Sequence, residues 1–86
     1  MKKEFEILSR AMGDRGLRRT AQRENILKVF LAMEGHFSIE DICGEVKKQF
    51  PSIGNVTVYR TMKLFEELGL AEKMDRGDGI ARYEHK

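Results

Sequence analysis

One short stretch of the chain combines helical spacing with side chains that can contact a polyanion. Between residues 55 and 65, three apolar residues recur at i, i+4 and i+7 and line one side of a helix: Val58, Met62 and Phe65. The polar side carries hydroxyls, a phenol and cations, with no acidic residue before Glu66: Thr57, Tyr59, Arg60, Thr61 and Lys63. Such a helix can enter a major groove, although an ordinary amphipathic surface helix would show the same pattern.

The flanking residues predict that this helix spans residues 55–68. Asn55 is predicted to be the N-cap, because its side chain can accept a hydrogen bond from the free amides of the first turn. Gly54 and Gly69 mark the two ends. Asn55 and Lys63 also belong to the residues that we expect to contact a polyanion.

A preceding helix is predicted to begin at Ser38, where Ser38 to Asp41 resembles a capping box with Asp41 in place of the usual Glu or Gln. Its apolar face holds Ile39, Ile42, Val46 and Cys43, and we interpret Cys43 as a small core residue. Pro51, the only proline of the chain, cannot continue this helix. Two helices joined by a short turn, the second with a basic exposed face, form a helix-turn-helix.

The first third of the chain adds two further predicted helices and has a net positive charge. One helix covers residues 3–12, and a second runs from an N-cap at Thr20 to about Met33. Arg23 lies in the first turn of the second helix, where free amides favour a phosphate, although a simple surface charge is an equal interpretation. Residues 1–30 hold eight Lys/Arg against four Asp/Glu, whereas residues 31–86 hold eight against ten, so a basic patch is expected near the N-terminus.

The end of the chain predicts a β-hairpin. Residues 70–74 and 80–84 are extended candidates on either side of a glycine-rich turn, Asp75 to Gly79. Arg76 at the tip and Arg82 on the return strand could reach a phosphate backbone, while residues 34–37 are predicted to form a loop. The expected fold is therefore mostly α with a small hairpin (α+β), a winged helix-turn-helix of about four helices and a two-stranded antiparallel wing, in one domain covering residues 1–86.

Composition restricts the function class. The chain has 86 residues, a net charge of +2 and a single cysteine, so an internal disulfide is excluded and a cytoplasmic protein is expected. No apolar run approaches the length of a membrane span, and the N-terminus is not a signal peptide. We also reject an enzyme, because there is no Ser/His/Asp or Cys/His pairing, no phosphate-binding glycine loop and no complete metal cluster.

Five motifs, taken together in order and spacing, resemble the ferric uptake regulator (Fur) family over nearly the whole chain, from about Gly16 to Glu84. The motifs are Thr20-Ala21-Gln22-Arg23, Ile26-Leu27, the run from His36 to Ile42, Thr57-Val58-Tyr59-Arg60-Thr61, and Arg82-Tyr83-Glu84. The resemblance implies a metal-responsive repressor whose N-terminal winged-helix domain binds double-stranded operator DNA, with an A·T-rich inverted repeat as the expected target.

The resemblance also assigns individual contacts. It implies that Tyr59 and Arg60 contact DNA and that a basic residue just ahead of the Thr-x-x-Arg motif, Arg18 or Arg19, reaches the minor groove. A guanidinium is favoured in a narrow A·T-rich minor groove by its negative potential. A tyrosine ring can pack on thymine methyl groups, and Thr57 can reach a phosphate or a base edge.

Members of the family carry a C-terminal dimerisation domain with metal sites, and the resemblance implies that this chain stops where that domain would begin. We therefore expect an isolated DNA-binding domain, monomeric by itself although the intact protein would be a homodimer. His36 and Glu84 match two residues of the regulatory metal site of the family, which implies a divalent iron, zinc or manganese ion in the intact protein and no cofactor here. Two ligands do not fill a coordination sphere of four to six.

One alternative to DNA binding stays open at this stage. Winged-helix domains also serve as protein-interaction modules, and the far end of the chain is acidic: Glu66, Glu67, Glu72, Asp75 and Asp78. The salt dependence of binding distinguishes the two functions, because phosphate contacts release counterions and a packed protein interface does not.

Overall fold

The computed structural model describes residues 2–14 and 21–85, and all structural statements below concern these residues. Within them, four helices and three strands follow one another in the order α1, α2, β1, α3, α4, β2, β3. Their bounds are α1 (Lys2–Asp14), α2 (Ala21–Ala32), β1 (Phe37–Ser38), α3 (Ile39–Gln49), α4 (Asn55–Glu67), β2 (Glu72–Asp75) and β3 (Ala81–Glu84). No helix in this part of the chain is long and apolar enough to cross a membrane.

The core lies between the helices, and the predicted apolar stripes supply most of it. In α2 the buried residues include Ile26, Leu27 and Phe30, while Met33 lies just beyond the helix and is only partly buried. The rings of Phe30 and Phe65 are stacked with their centres 6.5 Å apart, which joins α2 to α4. Leu8 and Met12 of α1 are almost fully buried, so α1 packs on this core as well.

The capping box predicted for α3 is confirmed. The Asp41 amide donates to the Ser38 hydroxyl at 3.1 Å, and the Ser38 amide donates to the Asp41 carboxylate at 3.2 Å. The helix ends at Gln49, ahead of Pro51, and the Phe50 amide closes its last turn on the Val46 carbonyl at 2.7 Å. Aspartate can therefore replace the longer glutamate in this box.

The N-cap predicted for α4 is wrong by one residue. Gly54 takes the cap position with extended backbone angles (φ −77°, ψ 159°), and Asn55 is the first helical residue. The reason is that Ile53 and Val58 are both buried in the core cluster. Ile53 directly precedes the cap residue and Val58 follows it by four positions, and an apolar pair at these two positions forms a hydrophobic staple. Core packing thus fixes the start of α4, and the Asn55 side chain makes no capping bond.

Gly69 ends α4 as predicted. Its φ of +77° lies in the left-handed region that glycine adopts at little cost. The Leu70 amide donates to the Phe65 carbonyl at 2.8 Å and the Gly69 amide to the Glu66 carbonyl at 3.2 Å, which is the Schellman arrangement. The helix therefore ends one residue earlier than predicted, at Glu67.

Thr61 was expected on the polar face of α4, and this expectation is wrong. Its side chain is 1% exposed, and its hydroxyl has no hydrogen-bond partner within the described residues. Thr61 follows Val58 by three positions and precedes Leu64 and Phe65 by three and four, which places it on the buried side. The exposed face of α4 is accordingly narrower than the sequence suggested.

The sheet contains one strand more than predicted. Residues 37 and 38, which were assigned to a loop or to the start of α3, form β1 and pair antiparallel with β3 in the register Phe37–Tyr83 and Ser38–Arg82. The hairpin of β2 and β3 is present as expected, and the strand order is β1-β3-β2. Four helices with a small antiparallel sheet beside the α3–α4 pair confirm the winged helix-turn-helix.

Candidate nucleic-acid interface

The exposed face of α4 carries most of the side chains that were predicted to contact a polyanion. Asn55, Tyr59, Arg60 and Lys63 are exposed, and Thr57 is half-buried at the edge of this face. Tyr59 is 50% exposed. The spacing of i, i+4, i+5 and i+8 places the four exposed residues along one side of the helix, so the structure brings these candidates together.

The charge on this face suits an anionic partner. No acidic side chain lies in the first turn of α4, and no side chain caps its N-terminus. The first-turn amides therefore point outward without a side-chain acceptor, and the helix dipole favours negative charge there. Arg60 and Lys63 add two full positive charges within the next two turns.

A groove of about 590 Å³ runs between α3 and α4 beside this face. Its lining combines apolar residues with the basic Lys47 and Arg60 and the acidic Glu40. Burial, reinforced by the negative charge of Glu40, raises the pKa of the Cys43 thiol. The interpretation of Cys43 as a small core residue is only partly right, because the side chain is partly buried against the core and also lines this groove.

A second groove, of about 400 Å³, connects α4 to the hairpin. Tyr59, Ile80 and Tyr83 line it together with residues of β1 and the hairpin loop. Tyr83 is buried, and desolvation, with smaller effects from Glu66 and Tyr59, raises the pKa of its phenol. Because Tyr59 lines both grooves, it joins the α3–α4 face to the hairpin in one continuous surface.

The two hairpin arginines differ in their availability. Arg76 is exposed in the loop after β2, as predicted. Arg82 donates from Nη1 to the Asp78 carboxylate at 2.8 Å, so its charge is already compensated. Of the two cations, Arg76 is the one that the structure presents to a ligand.

The predicted N-terminal contacts are only partly described. Arg18, Arg19 and Thr20 lie outside the described residues, as does the predicted cap of α2 by Thr20. Arg23 is half-buried at the third position of α2 and does not line either groove of the α4 face.

His36 and Glu84 are neighbours across β1 and β3. His36 directly precedes Phe37 and Glu84 directly follows Tyr83, and Phe37 pairs with Tyr83 in the sheet. His36 Nδ1 lies 3.4 Å from a carboxylate oxygen of Glu84, but this nitrogen makes no hydrogen bond in the described part of the chain. An imidazole and a carboxylate form a donor pair that iron, zinc and manganese accept.

This pair does not make a complete metal site among residues 2–14 and 21–85. No group of three or more His, Cys, Asp or Glu side chains converges there. The neighbouring His85 is engaged elsewhere, with its Nε2 2.7 Å from the Met33 carbonyl oxygen and its ring edge-on to Phe30. The unpartnered Nδ1 of His36 fits a metal ligand, and the remaining ligands would have to come from elsewhere.

Two exposed apolar residues were not selected from the sequence. In the described residues the large apolar side chains exposed to solvent are Val56 (63%), Tyr59 (50%) and Ile80 (48%), and all three line the two grooves of the α4 face. The exposure of Val56 could have been predicted from the sequence, because Val56 lies two residues before Val58 and therefore off the buried face of the helix.

A groove on another part of the surface is acidic. Glu66, Glu72 and Glu84 line it together with Lys73 and the turn after α4, and it encloses about 460 Å³. Of the acidic residues expected at the far end of the chain, Glu66 and Glu72 line this groove, and Lys73 is shared with the groove between α4 and the hairpin.

This combination of a helix-turn-helix, an antiparallel wing and a basic exposed second helix defines the winged-helix class of proteins. A model of the ferric uptake regulator family matches residues 14–86. The chain therefore belongs to the ferric uptake regulator family.

Individual relatives agree with this membership. The ferric uptake regulation protein of Bacillus subtilis is 36% identical over 85 residues, which cover 98% of this chain and 57% of that protein. A manganese uptake regulator of known structure is 37% identical, with a TM-score of 0.74 over 87% of this chain and 55% of that one. The ferric uptake regulator of Helicobacter pylori, whose structure is described as revealing three functional metal-binding sites, shares the fold (TM-score 0.87, 98% of this chain and 56% of that one) at 23% identity. The chain thus spans little more than half the length of these relatives.

Proposed function

We propose that this chain is the DNA-binding domain of a metal-responsive transcriptional repressor and that it reads an A·T-rich inverted repeat in double-stranded DNA. The observation that carries the proposal is the single exposed stripe of Asn55, Tyr59, Arg60 and Lys63 on α4. A helix of this kind fits the major groove, with its N-terminal residues at the base edges.

Each residue of the stripe makes the kind of DNA contact that suits its side chain. Arg60 has the fork geometry for two hydrogen bonds to a guanine edge or to a phosphate. The ring of Tyr59 offers an apolar face to thymine methyl groups, while Lys63 contacts the backbone as a point charge. Asn55 and Thr57 supply donors and acceptors at the start of the helix, where its amides favour a phosphate oxygen.

Further contacts are proposed on both sides of α4. Arg76 reaches a phosphate from the hairpin loop. Arg18 or Arg19 enters an adjacent minor groove, with Thr20 and Arg23 near the backbone, because an A·T-rich minor groove attracts guanidinium groups. These contacts position the domain along the duplex, and α4 supplies the sequence information.

Metal control is proposed to act through His36 and Glu84. The two side chains supply one nitrogen and one oxygen donor to a divalent iron, zinc or manganese ion, with the other ligands outside the described residues. The intact protein is proposed to be a homodimer that binds both halves of the repeat. Joining two such domains raises avidity by about 10²–10⁴-fold, so the 86-residue chain alone is expected to be a monomer with micromolar or weaker affinity.

The decisive experiment is a fluorescence anisotropy titration of the chain with an A·T-rich inverted-repeat duplex and with a scrambled duplex, at two salt concentrations. We expect tighter binding to the inverted repeat and a marked loss of affinity at the higher salt, because each phosphate contact releases counterions. Tyr59→Ala and Arg60→Ala should weaken binding while thermal unfolding stays unchanged, since both side chains are exposed.

Lys48→Ala is the matched control, because the Lys48 ammonium already pairs with Glu45 at 2.9 Å on α3. Equal affinities of the parent, Tyr59→Ala and Arg60→Ala for the inverted repeat would exclude α4 as the reading helix.

The acidic groove supports one second candidate function, a protein-interaction module. Three carboxylates around one groove would attract a basic protein segment. In that case the duplex would not bind even at low salt, and Glu72→Gln, not Arg60→Ala, would weaken the partner complex.

A further inference from the structure

We propose that Val56 contacts the C5-methyl group of a thymine and is a specificity-determining residue of α4. This inference rests on the proposed function, since it assigns to one residue a particular part of the reading of DNA by this helix.

The starting observation is the exposure of Val56. It is the most exposed of the large apolar side chains in the described residues, at 63%. It is the second residue of α4, one turn ahead of Arg60 and three residues before Tyr59. A valine at this place does not contribute to the core, because the buried residues of α4 lie on the other side of the helix.

The chemistry of the major groove limits what such a side chain can recognise. Donors and acceptors line the edges of all four base pairs, and the thymine methyl is the apolar group among them. An aliphatic side chain at the N-terminal end of the reading helix, where base contacts concentrate, therefore selects thymine. Cytosine at the same position would present an amino group to the valine methyls without a hydrogen-bond acceptor.

The surroundings of Val56 favour DNA over an apolar protein partner. Asn55, Arg60 and Lys47 line the same groove, together with the carboxylate of Glu40 and the apolar surface of Ile39 and Cys43, so two cations and one anion lie around the valine methyls. An apolar protein surface would have to desolvate all three charges, whereas DNA supplies phosphates to the two cations. The valine side chain is also branched at Cβ, which restricts its rotamers and holds the methyl groups in place before contact.

The test uses deoxyuridine, which differs from thymidine only by the missing methyl group. The parent chain and Val56→Ala are titrated with the A·T-rich inverted repeat and with a series of duplexes in which one thymine at a time is replaced by deoxyuridine. For the parent we expect, besides the positions whose methyl groups the Tyr59 ring contacts, one further position in each half-site where the replacement weakens binding about fourfold, the effect of one buried methyl group. In Val56→Ala the effect at that position should disappear.

Two further variants serve as controls. Arg60→Ala should weaken binding to the thymine and deoxyuridine duplexes by the same factor, because its contacts do not involve the methyl group. Ile80→Ala is the same type of change at the other exposed aliphatic residue and should leave the deoxyuridine effect at the Val56 position intact. Val56→Ala should fold, since the site is exposed and alanine is the best helix former.

The outcomes separate this inference from the proposed function. If the parent binds the repeat but Val56→Ala shows the same position-by-position deoxyuridine effects, the inference is overturned and DNA binding stands. If the parent binds no duplex at low salt, the proposed function fails and the inference fails with it.

Discussion

Lys63 lies over Tyr59 on the exposed face of α4, with its ammonium nitrogen 5.9 Å from the centre of the ring. The two residues are one helical turn apart, so the cation and the aromatic face form one unit on the helix surface. A ring held in this way presents its other side to a ligand, and the ammonium remains close to where a phosphate would pass.

Lys63→Met tests the role of this cation, because it keeps a long side chain and removes the charge. We expect weaker binding to every duplex and a slope of log affinity against log salt that is smaller by about 0.9, the contribution of one phosphate contact. Anisotropy titrations across a salt series measure the slope. The control is Lys48→Met, which removes a cation already paired with Glu45 and should leave the slope unchanged. An unchanged slope in Lys63→Met would mean that Lys63 contacts no phosphate.

Thr61→Val should stabilise the domain. The Thr61 side chain is buried and its hydroxyl has no partner in the described part of the chain, so valine keeps the shape and removes an unsatisfied polar group. A gain of about 1 kcal/mol in the free energy of unfolding is expected, or a rise of about 4–8 °C in melting temperature for a domain of this size. Thr57→Val is the control: the Thr57 site is half-buried, so the same substitution there should change the free energy of unfolding much less. A destabilised Thr61→Val would reveal a hydrogen bond to that hydroxyl.

Alanine at two glycines should have opposite effects. Gly69→Ala places a Cβ at a φ of +77° with no atom within 4 Å, so the cost is conformational and amounts to about 1–2 kcal/mol. Gly44→Ala also meets no atom within 4 Å, but it lies inside α3 and should gain about 1 kcal/mol from helix propensity. Chemical denaturation of both variants checks the signs. If both variants changed the free energy of unfolding in the same direction and by a similar amount, backbone conformation at the two glycines would not explain the changes.

The hairpin should respond to acid through Asp78. The hydrogen bond from Arg82, with help from the Ile80 amide, holds the pKa of the Asp78 carboxyl below its usual value. A lowered pKa in the folded state means that the carboxylate stabilises the fold above the unfolded pKa and that this contribution is lost as the pH falls through the folded pKa. The difference in melting temperature between the parent and Asp78→Asn should therefore shrink as the pH falls from neutral to acid. A difference that is the same at all pH values would exclude the charge as its source.

Zinc should leave the stability of the 86-residue chain unchanged. His36 and Glu84 supply two donors, and a zinc ion needs about four, so equimolar Zn²⁺ is expected to stay below saturation and to add nothing to the melting temperature. Differential scanning calorimetry with and without the ion checks this. A rise that His36→Ala and Glu84→Gln both abolish would show that further ligands complete the site within this chain.

The features that sequence reasoning predicted well are those decided by a few neighbouring residues. The capping box of Ser38 and Asp41 is complete within four positions, and the left-handed end of α4 needs only Gly69. The start of α4 depends instead on the burial of Ile53 and Val58, which no local pattern of hydrogen-bonding residues reveals. Strand β1 has two residues, too few for a periodicity, and its partner lies far away in the sequence.

In the candidate site, too, local features were predicted and features that depend on the folded structure were not. Exposure of Tyr59, Arg60 and Lys63 follows from helical spacing and was predicted. Thr61 was misplaced because its hydroxyl suggested a polar environment, although its helical position lies on the buried side. The ion pair of Arg82 with Asp78 joins residues across the hairpin, and only the folded turn shows that this cation is already engaged.

Ser38 belongs to two elements at once, since it pairs with Arg82 in the sheet and caps α3 through its hydroxyl. The β1–α3 junction therefore contains no flexible linker that could absorb a displacement. β3 is the central strand of the sheet, with β2 on one side and β1, which leads directly into α3, on the other. A displacement of β3 at Glu84 would therefore be transmitted to the wing and to the start of α3 at the same time.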